Sequence, residues 1–298
     1  MRVLISGASG LVGTELIRQL EARGDQPIRL VRRTAAAADE LEWDPITLRL
    51  DSAALENIDA VVNLAGATTG KLPWTKAYKV ELIQSRINST QTLVNAMNAA
   101  SKKPKVLVSG SASGYYGDAG DRVLTENDPR GSGFLADLAS RWEETAAGVD
   151  PSIRLVLIRT TMVLSRTKGA LGRLLPLLRA GIGGPLGNGK QYWAWISVVD
   201  EAAAILHLID TQSTSGAYNL TAPEPATCKQ LVDALGKALQ RLTVIPVPAF
   251  ALRLAFGEGA DELLLCSQNM SPKRLIDSGF KFTHPTLAGA AAWVVSKN

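Results

Sequence analysis

The chain has 298 residues, a formal charge of +4, and 46% hydrophobic against 20% charged residues, which fits two domains or one large α/β unit with an appendage and excludes a disordered protein. Its Lys and Arg are scattered, with no run longer than Arg32-Arg33 or Lys102-Lys103, which argues against a nucleic-acid partner and leaves an anionic small ligand open. Two cysteines, Cys228 and Cys266, and two histidines, His207 and His284, make neither a disulfide framework nor a zinc site, so no metal is expected and reduced thiols in the cytoplasm are.

No stretch reaches the roughly 20 apolar residues of a membrane span; even 153–164 is interrupted by Arg154 and Arg159. In chain order, Arg2 to Ser6 is a short aliphatic strand, and a glycine-rich turn leads into a helix over Thr14 to Arg23, with Leu16, Ile17 and Leu20 at helical spacing. Further apolar runs at Ile28–Val31, Ile58–Leu64, Lys105–Ser109 and Ile153–Ile158 read as strands buried on both faces. Helical patterns over Thr75–Ala100 and Phe134–Ala147 alternate with them. This alternation predicts an α/β fold, a Rossmann-like doubly wound parallel sheet.

After Thr160 seven glycines fall between Gly169 and Gly189, a loop-rich insertion before an apolar run at Trp193. A helix over Asp200–Ile209 and a strand over Ala217–Leu220 return the chain to the sheet. The expected division is therefore 1–161 with 196–221 as the nucleotide-binding domain, and 162–195 with 222–298 as a smaller, discontinuous substrate-side domain. Trp193 and Trp195, alternate residues of a strand, fit either a pocket wall or a core, and His207 and His284 do not read as ligands.

Gly7-Ala8-Ser9-Gly10-Leu11-Val12-Gly13 lies between the first strand and first helix. There, glycines permit a tight turn, backbone contact with a pyrophosphate, and close packing of helix on sheet. Gly7, Ser9, Gly10, Leu11, Val12 and Gly13 are thus the expected phosphate loop, with free helix N–H groups facing the anion. An acidic residue normally ends the second strand to hold the ribose of NAD. This chain has Arg32-Arg33 there, a guanidinium pair suited to a 2′-phosphate, so NADP(H) is expected over NAD(H). The plain alternative is two solvated arginines at a strand end.

These features, with Asn63-Leu64-Ala65-Gly66 and Ser109-Gly110-Ser111-Ala112-Ser113-Gly114-Tyr115-Tyr116-Gly117, resemble the extended short-chain dehydrogenase/reductases, the superfamily of NAD(P)-dependent epimerases and dehydratases. Trp74-Thr75 with Lys79 and Ser85-Arg86, Phe134-Leu135-Ala136 with Trp142-Glu143, Gly183 to Gly189 with Trp195-Ile196, and Pro246 to Phe250 are similar to its atypical "epimerase family" branch, which carries a C-terminal domain of unknown function. The resemblance implies cofactor contacts at Leu64, Ala65, Gly66 and Ser109, and a ligand-side hydroxyl at Ser111.

Active members of that superfamily place a Lys four residues after a Tyr on one helix face, where it lowers the Tyr pKa. Here Tyr78, Tyr115, Tyr116, Tyr192 and Tyr218 are followed four residues later by Leu82, Ala119, Gly120, Ile196 and Ala222, and the helix that should carry the pair offers Phe134, Leu135, Leu138 and Ala139. The usual dyad is absent. Ser111 and Tyr116 remain as catalytic candidates, against readings as a turn serine and a packed tyrosine. Arg86, with Lys79, would meet the cofactor or an anionic substrate, against a solvated helix face. The expectation is an NADP(H)-binding epimerase- or oxidoreductase-like protein acting on an unidentified small molecule, as monomer or homodimer. Its alternative is a non-catalytic NADP(H) sensor, in keeping with relatives described as cell-division inhibitors.

Overall fold

Aliphatic segments bounded by glycine or polar turns form the strands, in chain order β1 (Arg2–Ser6), β2 (Gln26–Val31), β3 (Glu40–Glu42), β4 (Ala60–Asn63), β5 (Val106–Ala112), β6 (Val123–Leu124), β7 (Arg154–Thr160), β8 (Met162–Leu164), β9 (Trp195–Ser197), β10 (Gly216–Leu220) and β11 (Asn269–Met270). The computed structural model describes residues 1–166, 169 and 171–296, with Arg173 by its backbone only. Thr167, Lys168 and Ala170 of the expected insertion, and Lys297 and Asn298 at the end of the expected smaller domain, lie outside the described residues.

Seven strands make one sheet in the order β10-β7-β5-β4-β1-β2-β3, every pair parallel. The chain runs outward from β1 to β3 and then crosses to β4, so the order reverses between β1 and β4 and leaves a crevice at their carboxyl ends. Ser6 lies beside Asn63, Asn63 beside Ser109, and Ser111 beside Arg159. The expected site residues therefore share one edge of the sheet.

The helices are α1 (Leu11–Ala22), α2 (Lys76–Ala99), α3 (Phe134–Ala146), α4 (Leu171–Arg179), α5 (Val198–Asp210), α6 (Cys228–Leu239), α7 (Ala249–Phe256), α8 (Lys273–Asp277) and α9 (Leu287–Val295). Leu16 and Leu20 of α1 and Ile205 and Leu208 of α5 bury one face of the sheet, and Leu93 and Met97 of α2 bury the other. Side-chain caps set the entries: Thr75 Oγ1 accepts from Tyr78 N, and Ser197 Oγ from Asp200 N. Helix α1 begins three residues earlier than its apolar spacing suggests, because Gly10 N closes a turn on the Gly7 carbonyl at 2.9 Å and helical bonding starts at once.

A second apolar cluster joins Leu175 of α4, Trp193, Trp195, Leu231 of α6 and Ala290 and Val294 of α9. Both indoles are core, with their N–H groups donating to the carbonyls of Leu264 (3.1 Å) and Glu224 (3.0 Å). His207 is half-buried against Ser278, and His284 stacks near Trp293. Within 222–298, however, Leu275 of α8 and Phe280 pack into the core of the large sheet, so that stretch is divided between the two clusters.

Candidate functional site

The glycine loop is held by steric necessity at both ends. Gly7 has φ +71°, and a Cβ there would stand 2.7 Å from the Leu64 carbonyl; a Cβ on Gly13 would stand 2.4 Å from the Gly7 oxygen. Any larger residue would push α1 off the sheet. Gly10 caps α1 without a side-chain hydrogen bond, so no side chain competes for the first-turn amides of Leu11, Val12 and Gly13. Ser9 is exposed beside them.

Across the crevice, Leu64 N and Ala65 N both donate to Ser6 Oγ at 3.2 Å, and Ser6 Oγ donates to Asn63 Oδ1 at 2.6 Å. Asn63 Nδ2 and Trp142 Nε1 both donate to Thr90 Oγ1, tying β1, β4, α2 and α3 together. Ser109 is fully buried at the next strand, with its hydroxyl unpartnered among the described residues.

The cations divide into engaged and free. Arg33 makes a two-bond pair with Glu40 (2.9 and 2.7 Å), which also accepts from Ala36 N; these bonds hold the Glu40 carboxyl down at about 2. Arg32 is exposed and has no carboxylate partner among the described residues. Lys79 is engaged by both oxygens of Glu258 (2.8 and 2.7 Å) and sits over the Phe134 ring. Arg86 donates to the Leu82 carbonyl (3.0 Å) and to no other acceptor among the described residues, lies 5.1 Å above the Trp142 ring and abuts Gly66. Burial, with no carboxylate beside it among the described residues, pushes its guanidinium down to about 10.

Ser111 and Tyr116 come together in one buried network through two residues not expected to join them, Glu143 and Arg159. Ser111 Oγ donates to Glu143 Oε1 at 2.6 Å, and Arg159 grips both Glu143 oxygens at 2.9 Å. Arg159 Nη1 also donates to Tyr116 Oη (2.8 Å), which donates to Asn219 Oδ1 (2.7 Å). Burial pushes the Tyr116 phenol up to about 12. Burial opposes the charge on Arg159, but the bonds to Glu143 and Tyr116 outweigh it and raise its pKa. Ser111 and Tyr116 are 4% and 2% exposed, so neither hydroxyl is presented to a ligand in this structure.

The sequence offered one sign of this network. Arg159 is a charged residue beside the apolar run 155–158, and a buried charge there must be paired. Glu143, quoted above only within a motif, and Asn219 carried no local sign. The positions where a Tyr/Lys pair would stand are filled by Phe134, Leu135 and Leu138, packed against Trp74, Tyr78 and Leu82. Glu262 accepts from Phe134 N and Leu135 N at 3.0 Å and so caps α3. Beside it lies a cavity of about 280 Å³ lined by Gly117, Asp118, Gly133, Arg253, Glu262 and Cys266, among others. Among the described residues no group of His, Cys, Asp or Glu is placed to hold a metal, and no helix is long and apolar enough to cross a membrane.

A parallel sheet whose order reverses beside a glycine loop and an uncapped helix start defines a Rossmann-like fold. Residues 3–221 match the model of the NAD dependent epimerase/dehydratase family, and residues 247–294 match a domain of unknown function, DUF1731. The chain belongs to the NAD-dependent epimerase/dehydratase family. It is 42% identical to an epimerase family protein of Mycobacterium leprae, covering 99% of this chain and 96% of that one. It is 35% identical to the human epimerase family protein SDR39U1, covering 99% and 100%. The crystal structure of that human protein with NADPH matches at a TM-score of 0.92 and 32% identity, covering 99% of each chain. The MoeE5 complex with UDP-glucose and NAD, at 21% identity, 99% and 97% coverage and a TM-score of 0.76, shares the fold alone.

Proposed function

We propose that the chain binds NADP(H) in the crevice between β1 and β4 and acts on a small molecule in oxidoreductase- or epimerase-type chemistry without the usual Tyr/Lys pair. The observation that carries the cofactor reading is an uncapped α1 behind glycines where a Cβ would collide; Arg32, just past β2 and without a carboxylate partner among the described residues, supports it. The pyrophosphate would lie on the amides of Leu11, Val12 and Gly13, beside Gly10 and Ser9. Arg32 would take the 2′-phosphate, with Arg33 held alongside by Glu40. Leu64, Ala65, Gly66, Arg86 and Ser109 would line the crevice toward the nicotinamide. Cocrystallisation of the human relative with NADPH supports the choice of cofactor.

When bound, a nicotinamide cofactor supplies or accepts a hydride at a ligand carbon. The chain's own part is to orient the ligand at the carboxyl ends of β5 and β7, over the buried frame of Ser111, Glu143, Arg159 and Tyr116. Segments 162–195 and 222–298 would supply the substrate side. The packed cluster around Phe134 favours a second reading, a non-catalytic NADP(H) sensor, because it leaves no proton-transfer group at the usual place. On either reading we place the protein in the cytoplasm, as monomer or homodimer.

Fluorescence titration of cofactor-stripped protein with NADPH and NADH tests the shared premise. NADPH is expected to bind at least about tenfold tighter, a gap of about 1.4 kcal/mol, and Arg32→Ala to remove the gap. Equal affinities would refute the 2′-phosphate assignment, and no binding of either nucleotide would sink both readings.

A further inference from the structure

The two hydroxyls that the sequence singles out are spent inside the protein. Ser111 donates its hydrogen bond to Glu143, and Tyr116 is bonded on both sides and buried. Next to Tyr116 stands Tyr115, partly exposed, in the turn that follows the carboxyl end of β5, the end at which ligands of such sheets collect. Its hydroxyl has no hydrogen-bond partner among the described residues. Of the other phenols, Tyr78 Oη donates to the Thr68 carbonyl at 2.6 Å, Tyr192 lies in the loop before β9, and Tyr218 is buried beneath Arg274.

The ring of Tyr115 is fixed as firmly as its hydroxyl is free. The Arg159 guanidinium lies 3.5 Å from the ring centroid, and Tyr116 meets it edge-on at 5.4 Å. Arg159 is itself pinned by Glu143 and Tyr116. The Tyr115 carbonyl accepts from Gly131 N at 3.0 Å, and Gly131 leaves no room for a Cβ against the Tyr116 carbonyl. A clamped ring with an open hydroxyl is a preorganised hydrogen-bond donor.

We infer that Tyr115 is the ligand-facing phenol of this site, donating its O–H to a hydroxyl or carbonyl oxygen of the bound molecule, and that Ser111, Glu143, Arg159 and Tyr116 form the frame that positions it. This rests on the proposed NADP(H) site, beside which that oxygen would sit. Acetylation with N-acetylimidazole, mapped by mass spectrometry with and without NADP+, tests it. Tyr115 is expected to be acetylated in the free protein while Tyr116 and Tyr218 are not, and the Tyr115 product is expected to be lost in step with NADP+ saturation. Acetylation of Tyr192 without Tyr115, or acetylation of Tyr115 that ignores saturating NADP+, overturns the inference. NADPH fluorescence on the same sample separates that failure from failure of the cofactor site, which shows as no binding at all. Tyr115→Phe should retain the wild-type melting temperature, whereas Tyr116→Phe should lower it; the reverse order would place Tyr115 in the frame and refute its role.

Discussion

Glu143 and Arg159 place two opposite charges in the protein interior, with side chains 11% and 5% exposed. Taking them out of water is costly, and the pair is tolerable because every strong contact is satisfied: two bonds between them, one from Ser111 and one to Tyr116. Removing one partner leaves a buried charge alone. Glu143→Gln or Arg159→Met is therefore expected to lower stability by about 3–5 kcal/mol in urea unfolding at neutral pH, whereas Glu143→Leu with Arg159→Met costs less than the sum of the single changes. Additive losses would show that the pair is not a unit. At this scale the sequence was partly legible. The strand-end loop pointed to Ser111 and Tyr116, but the residue joining them pairs with a carboxylate 16 positions away on α3, and no local spacing rule reports such a contact.

Helix α5 lies along β7 and carries a carboxyl group into that contact. Glu201 is fully buried; its Oε1 accepts from Thr160 Oγ1 at 2.6 Å, and its Oε2 has no partner among the described residues. Burial raises its pKa from 4.5 to about 8. The folded protein thus keeps a proton that the unfolded chain releases, so the stability present below pH 4.5 is lost as pH rises toward 8, at up to about 1.4 kcal/mol per pH unit. Wild type is expected to lose ground to Glu201→Gln in chemical denaturation across that window and to match its pH dependence below it. Parallel curves would place the group's pKa near its ordinary value. The sequence showed α5 through its apolar spacing, yet the same spacing hid a polar residue on the buried side. Among the elements the sequence did not show, β3 is Glu-Leu-Glu, too short and acidic to read as a strand, α4 sits among glycines with Pro176 inside it, and the short elements from α6 to α9 were expected only as a smaller domain.

The alternation of strand and helix made the doubly wound sheet legible, because each parallel strand needs a crossover and each crossover helix shows an apolar face. What could not be read was how the last part of the chain is shared out. Leu275 and Phe280 fill the sheet's core, whereas Leu231, Ala290 and Val294 fill the other, and the local spacing of such short elements does not declare which core they join. Two cores in one chain raise the question of whether they unfold together. Leu231 is fully buried in the second core, and Leu231→Ala should cost about 2–5 kcal/mol through the lost packing and the cavity left behind. If the cores are separate cooperative units, hydrogen exchange in that variant should accelerate in α4, α6 and α9 and stay at the wild-type rate in β1, β2 and β4. NADPH affinity should then be unchanged, because the glycine loop, through Ala8 and Val12, belongs to the first core. Equal acceleration across the large sheet would show a single cooperative unit, and would make the two cores one folding event.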